Sequence, residues 1–263
     1  MSYQDRDFGL IDYQLCTLDE SGPLGLNIPV RKPIPKSSGY VAFIGAAQTF
    51  GRYVRKPFGH QLGERLGVEV ALIAKGGTGP EYWIEKQPDL MNGLSQASLT
   101  IVQVMSARSV TSSFVKNPEW VEVTRNMINE KIKNNEFESL RQYIYESQEN
   151  YVNQMVKLLD SIPTKKILFW FSQRTPDWAA EFKSARKLWG EFPQMVSKGM
   201  MDRIIPHADE YVECVSGVGL PVQLGVDAKG RIRENKYYPS QEMHDAAVLA
   251  LEPIIKKYLS VAH

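Results

Sequence analysis

The chain has 263 residues, with 31 Lys and Arg against 30 Asp and Glu, a formal net charge of +1. That balance gives no chain-wide attraction to nucleic acid or to an acidic membrane, so no partner of either kind is expected. Cys16 and Cys214 are the only cysteines, too few for a disulfide framework, and neither has a Cys or His partner at ligand spacing, so no metal is expected.

The length and the 43% apolar share suit one globular core. Met1 to Leu10 is polar, with no basic start and apolar run, and no stretch reaches the roughly 18 apolar residues of a membrane span. The expectation is a reduced, cytoplasmic protein. Residues 1–38 read as an arm packed on the body, because Pro23, Pro29, Pro33 and Pro35 break any long element.

From residue 39 to 263 the pattern is that of one α/β domain. Five short apolar runs read as strands buried on both faces: Gly39 to Gly45, Val68 to Ala74, Leu99 to Met105, Lys166 to Phe171 and Glu210 to Val215. Helical periods lie between them, around Gln61 to Leu66 and over Glu136 to Leu159. A last helix, about Ser240 to Leu259, contains Pro253, which would kink or divide it. Ser106 to Asn135 is long and polar and gives no readable structure. Alternating strand and helix predicts a three-layer α/β/α fold around a parallel five-stranded sheet, with ligands at the carboxyl rim of the strands.

The segments after the strands are chemically biased. Gly45-Ala46-Ala47-Gln48-Thr49-Phe50-Gly51-Arg52 comes after the first, Gly76-Gly77-Thr78-Gly79 after the second, Ser106-Ala107-Arg108-Ser109 after the third and Ser172-Gln173-Arg174 after the fourth. Tyr237-Tyr238-Pro239-Ser240 leads into the helix that carries His244. No phosphate loop, dinucleotide fingerprint or Gly-x-Ser-x-Gly elbow occurs, so no nucleotide cofactor is expected.

The order and spacing of these blocks resemble the SGNH, or GDSL, hydrolase superfamily, over most of the chain from Tyr40 onward. The resemblance implies a flavodoxin-like sheet. It puts Gly45, Ala46, Ala47 and Gly51 in the first block, Gly77 in the second, and Ser106 to Ser109 in the third. Gln241-Glu242-Met243-His244 stands in the last. Three positions depart from that pattern: Ala47 replaces the nucleophilic serine, Arg108 the oxyanion asparagine, and Gln241 the aspartate that orients the histidine. The chain also looks like a bacterial group with GAAQTFGR-type, SARS-type and YYPS-x-x-x-H-type segments, which implies no particular reaction.

Two functions are open on this reading. One is a group-transfer or hydrolytic enzyme acting on an anionic or sugar-linked substrate. His244 would be its acid or base, Thr49, Ser106 or Ser109 its hydroxyl, and Gln48, Gly77, Arg108, Arg174 and Arg52 its substrate-binding groups. The other is a non-catalytic carbohydrate- or anion-binding module. Each residue has a plainer role beside this: His244 a surface helix histidine, Arg174 a loop brace, Arg52 a solvated charge, the glycine cluster a tight turn. Ser106 and Ser109 could be helix caps. Trp170, Trp178 and Trp189 could be core or could stack on a sugar, core being the default.

Overall fold

A computed structural model describes residues 7, 9–17, 24, 28–87, 89–118, 120–226 and 229–260. Pro23 and most of the Met1 to Leu10 segment lie outside the described residues. The elements in chain order begin with β1 (Leu15–Thr17), β2 (Pro29–Arg31), β3 (Val41–Gly45), α1 (Ala47–Phe50), α2 (Phe58–Leu66) and β4 (Val70–Ala74). Next come α3 (Pro80–Glu85), α4 (Leu90–Leu94), β5 (Leu99–Gln103), a 3-10 turn at Ala107–Ser109, α5 (Val121–Lys133), α6 (Phe137–Ser161) and β6 (Lys166–Ser172). The chain closes with α7 (Ala185–Trp189), α8 (Lys198–Ile204), β7 (Glu210–Val215), β8 (Val222–Val226), β9 (Ile232–Asn235) and α9 (Gln241–Ser260).

The central sheet runs β4-β3-β5-β6-β7 and every pairing in it is parallel. This is the flavodoxin-like order, with the chain reversing its direction of travel across the sheet at β3. All of β3, β4 and β5 is buried, which is why these strands read as unbroken apolar runs and not as alternation.

The side chains of each strand feed two cores. Ala42, Ile44, Ala71, Ile73, Val102, Leu168 and Trp170 face one layer, which includes Trp83 of α3 and Tyr143, Tyr151 and Met155 of α6. Val41, Phe43, Leu72, Ile101, Phe169 and Phe171 face the other, against Phe58 and Leu62 of α2 and Met243, Ala247, Leu251 and Ile255 of α9. Phe58 is the hub of that second layer, with Phe43, Phe169 and Phe171 rings edge-on at 5.4 to 5.6 Å. Removing a ring so enclosed costs about 3–5 kcal/mol.

Helix α9 passes through Pro253 without division. The polar stretch after Ser106 holds the 3-10 turn and then α5. The first part of the chain does form structure, because β1 and β2 pair antiparallel. A hairpin not expected from the sequence, β8 with β9, comes after the last sheet strand.

Candidate functional site

The turn after β3 is built around Gln103, at the end of β5. Its Oε1 accepts the Ala46 backbone N–H at 3.0 Å and the Thr49 hydroxyl at 2.7 Å. Gly45 is required by this arrangement, since a Cβ there would collide with Thr49 Oγ1 and Gln103 Oε1. The short helix α1 then ends at Gly51, in the left-handed region at φ 74°, whose N–H caps the carbonyls of Ala47 and Gln48. This geometry presents Ala46, Ala47 and Gln48 to a cleft of about 1200 Å³ at the carboxyl ends of the strands. Gly76, Gly77 and Thr78 after β4, and Ser106, Arg108 and Ser109 after β5, form the adjoining wall. Gly77 has φ 84° and open space where a side chain would stand, so the backbone there lies bare to the cleft.

Arg108 is fixed from two sides. Its Nε donates to Gln194 Oε1, and its guanidinium carbon lies 5.5 Å over the Trp189 ring. Gln194 is itself clamped. Its N–H donates to Ser106 Oγ at 3.0 Å and its carbonyl accepts the Ala107 N–H at 2.9 Å. Trp189 donates from Nε1 to the Tyr143 hydroxyl, which locks the ring beneath the arginine. Among the described residues no carboxylate lies within ion-pair distance of Arg108 or Arg186, although both line the cleft. Among the described residues six basic side chains line it against two carboxylates, Glu191 and Glu234.

Like Arg125 with Glu122 and Lys236 with Glu234, Arg52 is one of the cleft's paired cations. Nε and Nη2 donate to the two oxygens of Asp7 at 2.8 and 3.0 Å, and Nη1 to the Tyr238 hydroxyl at 3.0 Å. The rings of Tyr53 and Tyr238 lie 4.6 and 4.8 Å from its guanidinium carbon. Burial works against this charge, but the bond to Asp7 and the two tyrosines outweigh it and hold the guanidinium above the ordinary arginine range.

Four expected site residues need correction or restatement. His244 does not line the cleft: it is fully buried, its ring stacks on Phe58 at 5.5 Å, and Nδ1 accepts the Phe58 N–H at 3.1 Å. Burial, with Arg31 adding to it, pushes its pKa down to about 3, so the ring is neutral and apolar-facing. Gln241 does not orient it, because that amide pairs with the backbone of Lys56. Thr49 also stays out of the cleft, buried and committed to Gln103.

Arg174 braces a loop instead of lining the cleft. Its guanidinium donates to the carbonyls of Thr175, Glu191, Pro193 and Val196, so it fixes the segment that carries Gln194. Ser106 does line the cleft, with its hydroxyl already accepting from Gln194. Of the three tryptophans, Trp170 is core, Trp178 packs beside it with Nε1 on the Leu188 carbonyl, and Trp189 reaches the cleft.

Sequence reasoning missed Gln194, Lys75, Arg125, Arg186 and the wall contributed by Leu224, Glu234 and Asn235 of the hairpin. The hairpin had a signal, apolar residues at Val222, Leu224 and Val226 with Gly225 and Gly230 nearby. Gln194 had none. Among the described residues there is no group of three or more His, Cys, Asp or Glu able to hold a metal, and no helix long and apolar enough to cross a membrane.

Fold and cleft together define a doubly wound α/β protein with a polar, basic site at the switch point of its parallel sheet. The chain belongs to the family described as a domain of unknown function, DUF6473, whose model matches residues 1–117 and 119–259. No curated protein matches it. Solved structures similar to it include a carbohydrate esterase family 2 enzyme plus carbohydrate-binding domain from Corynascus thermopiles (Myceliophthora fergusii). That likeness has 15% identity and a TM-score of 0.43 over 89% of this chain and 70% of that one. A family two carbohydrate esterase from Clostridium thermocellum, in complex with cellohexaose, shares 10% identity with a TM-score of 0.47, over 88% and 68%. A Lactobacillus plantarum protein shares 9% identity with a TM-score of 0.46, over 84% and 98%.

Proposed function

We propose that this protein is a binding module whose cleft recognises a small anionic ligand carrying a ring, of the sugar-linked kind, without turning it over by serine-type chemistry. The observation that carries the reading is Arg108, a cation fixed by Gln194 and Trp189, facing the cleft and without a carboxylate partner among the described residues. A guanidinium held so offers its remaining donors to phosphate, sulfate or carboxylate at little ordering cost. The bare backbone at Gly77 lets such a group approach closely. Trp189, Tyr53, Tyr237 and Tyr238 supply aromatic faces for the ring.

Catalysis of the resembled kind finds no support in the geometry. Ala47 cannot attack, and among the described residues no histidine lines the cleft. Among the described residues no base hydrogen-bonds the Ser106 hydroxyl, which accepts a backbone N–H.

The experiment is thermal unfolding in sulfate, phosphate and chloride at matched ionic strength, on the wild type and on Arg108→Ala. A ligand at a hundredfold excess over its dissociation constant adds about 2.7 kcal/mol to the folded state. The expected result is a stabilisation specific to the divalent anions and lost in the variant. Equal shifts in the two proteins would be a general salt effect and would overturn the reading.

A further inference from the structure

A second cavity, of about 360 Å³, opens behind the 50–55 loop and is lined by Leu10 to Gln14, Arg31, Lys32, Arg55 and His60. Arg31 sits at its base, only 4% exposed. Its Nη1 donates to the carbonyls of Phe50, Gly51 and Val54, and Nη2 to that of Arg55. Its Nε, fully buried, has no partner, and among the described residues no carboxylate pairs with it. The cation instead lies 5.1 Å from the Tyr13 ring centroid and 5.7 Å from that of Phe50. Carbonyl dipoles and ring faces satisfy the guanidinium in part, but a buried positive charge without a counter-ion remains costly.

His60, on α2, is the second anomaly. It is 7% exposed, it lines the same cavity, and its Nε2 is buried without a hydrogen-bond partner. Lys32 and Arg55 add two more cations, and Asp12 is the one carboxylate among the lining residues, already accepting the Gln14 N–H at 2.9 Å. Burial, with Arg31 next, pushes the His60 pKa down to about 4. Neighbouring Glu64 opposes that shift and Lys56 adds to it.

From the orphaned Arg31 Nε, the orphaned His60 Nε2 and the surplus of cations around one cavity, we infer that it is an oxyanion-binding site, taking a small carboxylate or phosphate group as the counter-ion of Arg31. The site is separate from the main cleft: the two share no lining residue, and the loop that Arg31 ties down carries Arg52 and Tyr53 on its cleft side. It therefore stands or falls independently of the binding function of that cleft.

The test tracks the His60 imidazole carbon-proton resonance by NMR, assigned by its loss in His60→Gln, in an Arg108→Ala background that disables the main cleft. Inorganic phosphate and acetate are titrated separately at constant ionic strength. The expected result is a saturable shift with at least one of them. A response to both marks a general carboxylate-and-phosphate site, and a response to phosphate alone marks a site for phosphate. Substituting the exposed rim cations, Lys32→Gln with Arg55→Gln, leaves the Arg31 brace intact and is expected to weaken that binding by about tenfold or more. No saturable shift, or a shift of unchanged affinity in the rim variant, overturns the inference.

Discussion

The Nδ1 atom of His244 accepts the backbone N–H of Phe58, 186 residues earlier in the chain, at 3.1 Å. One donor of the first turn of α2 is thereby satisfied by a side chain from the first turn of α9, and the two rings stack at 5.5 Å. The histidine joins two helices on one face of the sheet, a role in which its neutral form is required.

That requirement sets a pH dependence. The pKa values of His244 and His60 fall from an ordinary 6.5 to about 3 and about 4 in the folded protein. The unfolded chain therefore binds more protons between those values and 6.5, and stability falls as pH is lowered through that window. Each histidine contributes a slope of about 1.4 kcal/mol per pH unit there. Denaturant unfolding from pH 7 to pH 4 measures it. His244→Asn, whose side-chain oxygen can still accept from Phe58, is expected to flatten the slope; an unchanged slope would show that His244 is not the group responsible.

Restoring a serine at the turn is expected to restore nothing. Ala47→Ser places a hydroxyl at the cleft, but among the described residues no histidine lines that cleft to take its proton. A chromogenic short-chain ester assay is expected to give the background rate with wild type and variant alike. Turnover in the variant that vanishes with His244→Ala would show that the buried ring reaches the cleft after all.

Gly45→Ala tests the turn itself. The added methyl must displace Thr49 or Gln103, the pair that fixes Ala46, so about 1–3 kcal/mol of stability is expected to be lost. Gly67→Ala, with open space at its Cβ but φ 65°, carries only the backbone penalty of a non-glycine left-handed residue, about 1 kcal/mol. Chemical denaturation of both ranks them; the reverse order would mean the turn yields easily.

Arg174 is expected to act on the cleft at a distance. Arg174→Ala removes its bonds to four carbonyls and frees the loop that presents Gln194. Amide hydrogen exchange over 190–196 is expected to quicken, and anion-dependent stabilisation to weaken without disappearing, since Arg108 remains. Complete loss, equal to that of Arg108→Ala, would make Arg174 a direct ligand.

The sheet was legible because four buried parallel strands must be written as apolar runs, and such runs have few other readings. Strand β7 was legible too, as Glu210–Val215, although the structure leaves most of it half-exposed. The rim was legible as a place, and Gln48, Gly77, Ser106, Arg108 and Arg52 do line the cleft. What failed was the direction in which a side chain points. A histidine in the first turn of a helix and an arginine after a strand are equally compatible with a site and with a brace. Only tertiary contacts decide, here Phe58 for His244 and the 191–196 carbonyls for Arg174. The hairpin wall escaped for a different reason: β8 and β9 are short and half-exposed or exposed along most of their length, so burial writes little pattern into them.

Arg52 holds Asp7 on one side and Tyr238 on the other. This cleft residue thus ties together positions 231 apart in the sequence, of which Tyr238 lines the cleft. During synthesis the sheet strands β3 to β6 and much of the first core can assemble while Tyr238 is still unmade, yet the wall cannot. That wall is therefore a late feature of the growing polypeptide, complete only after Tyr238 has emerged. A nascent chain that stops short of Tyr238 would hold a basic rim without that part of its wall.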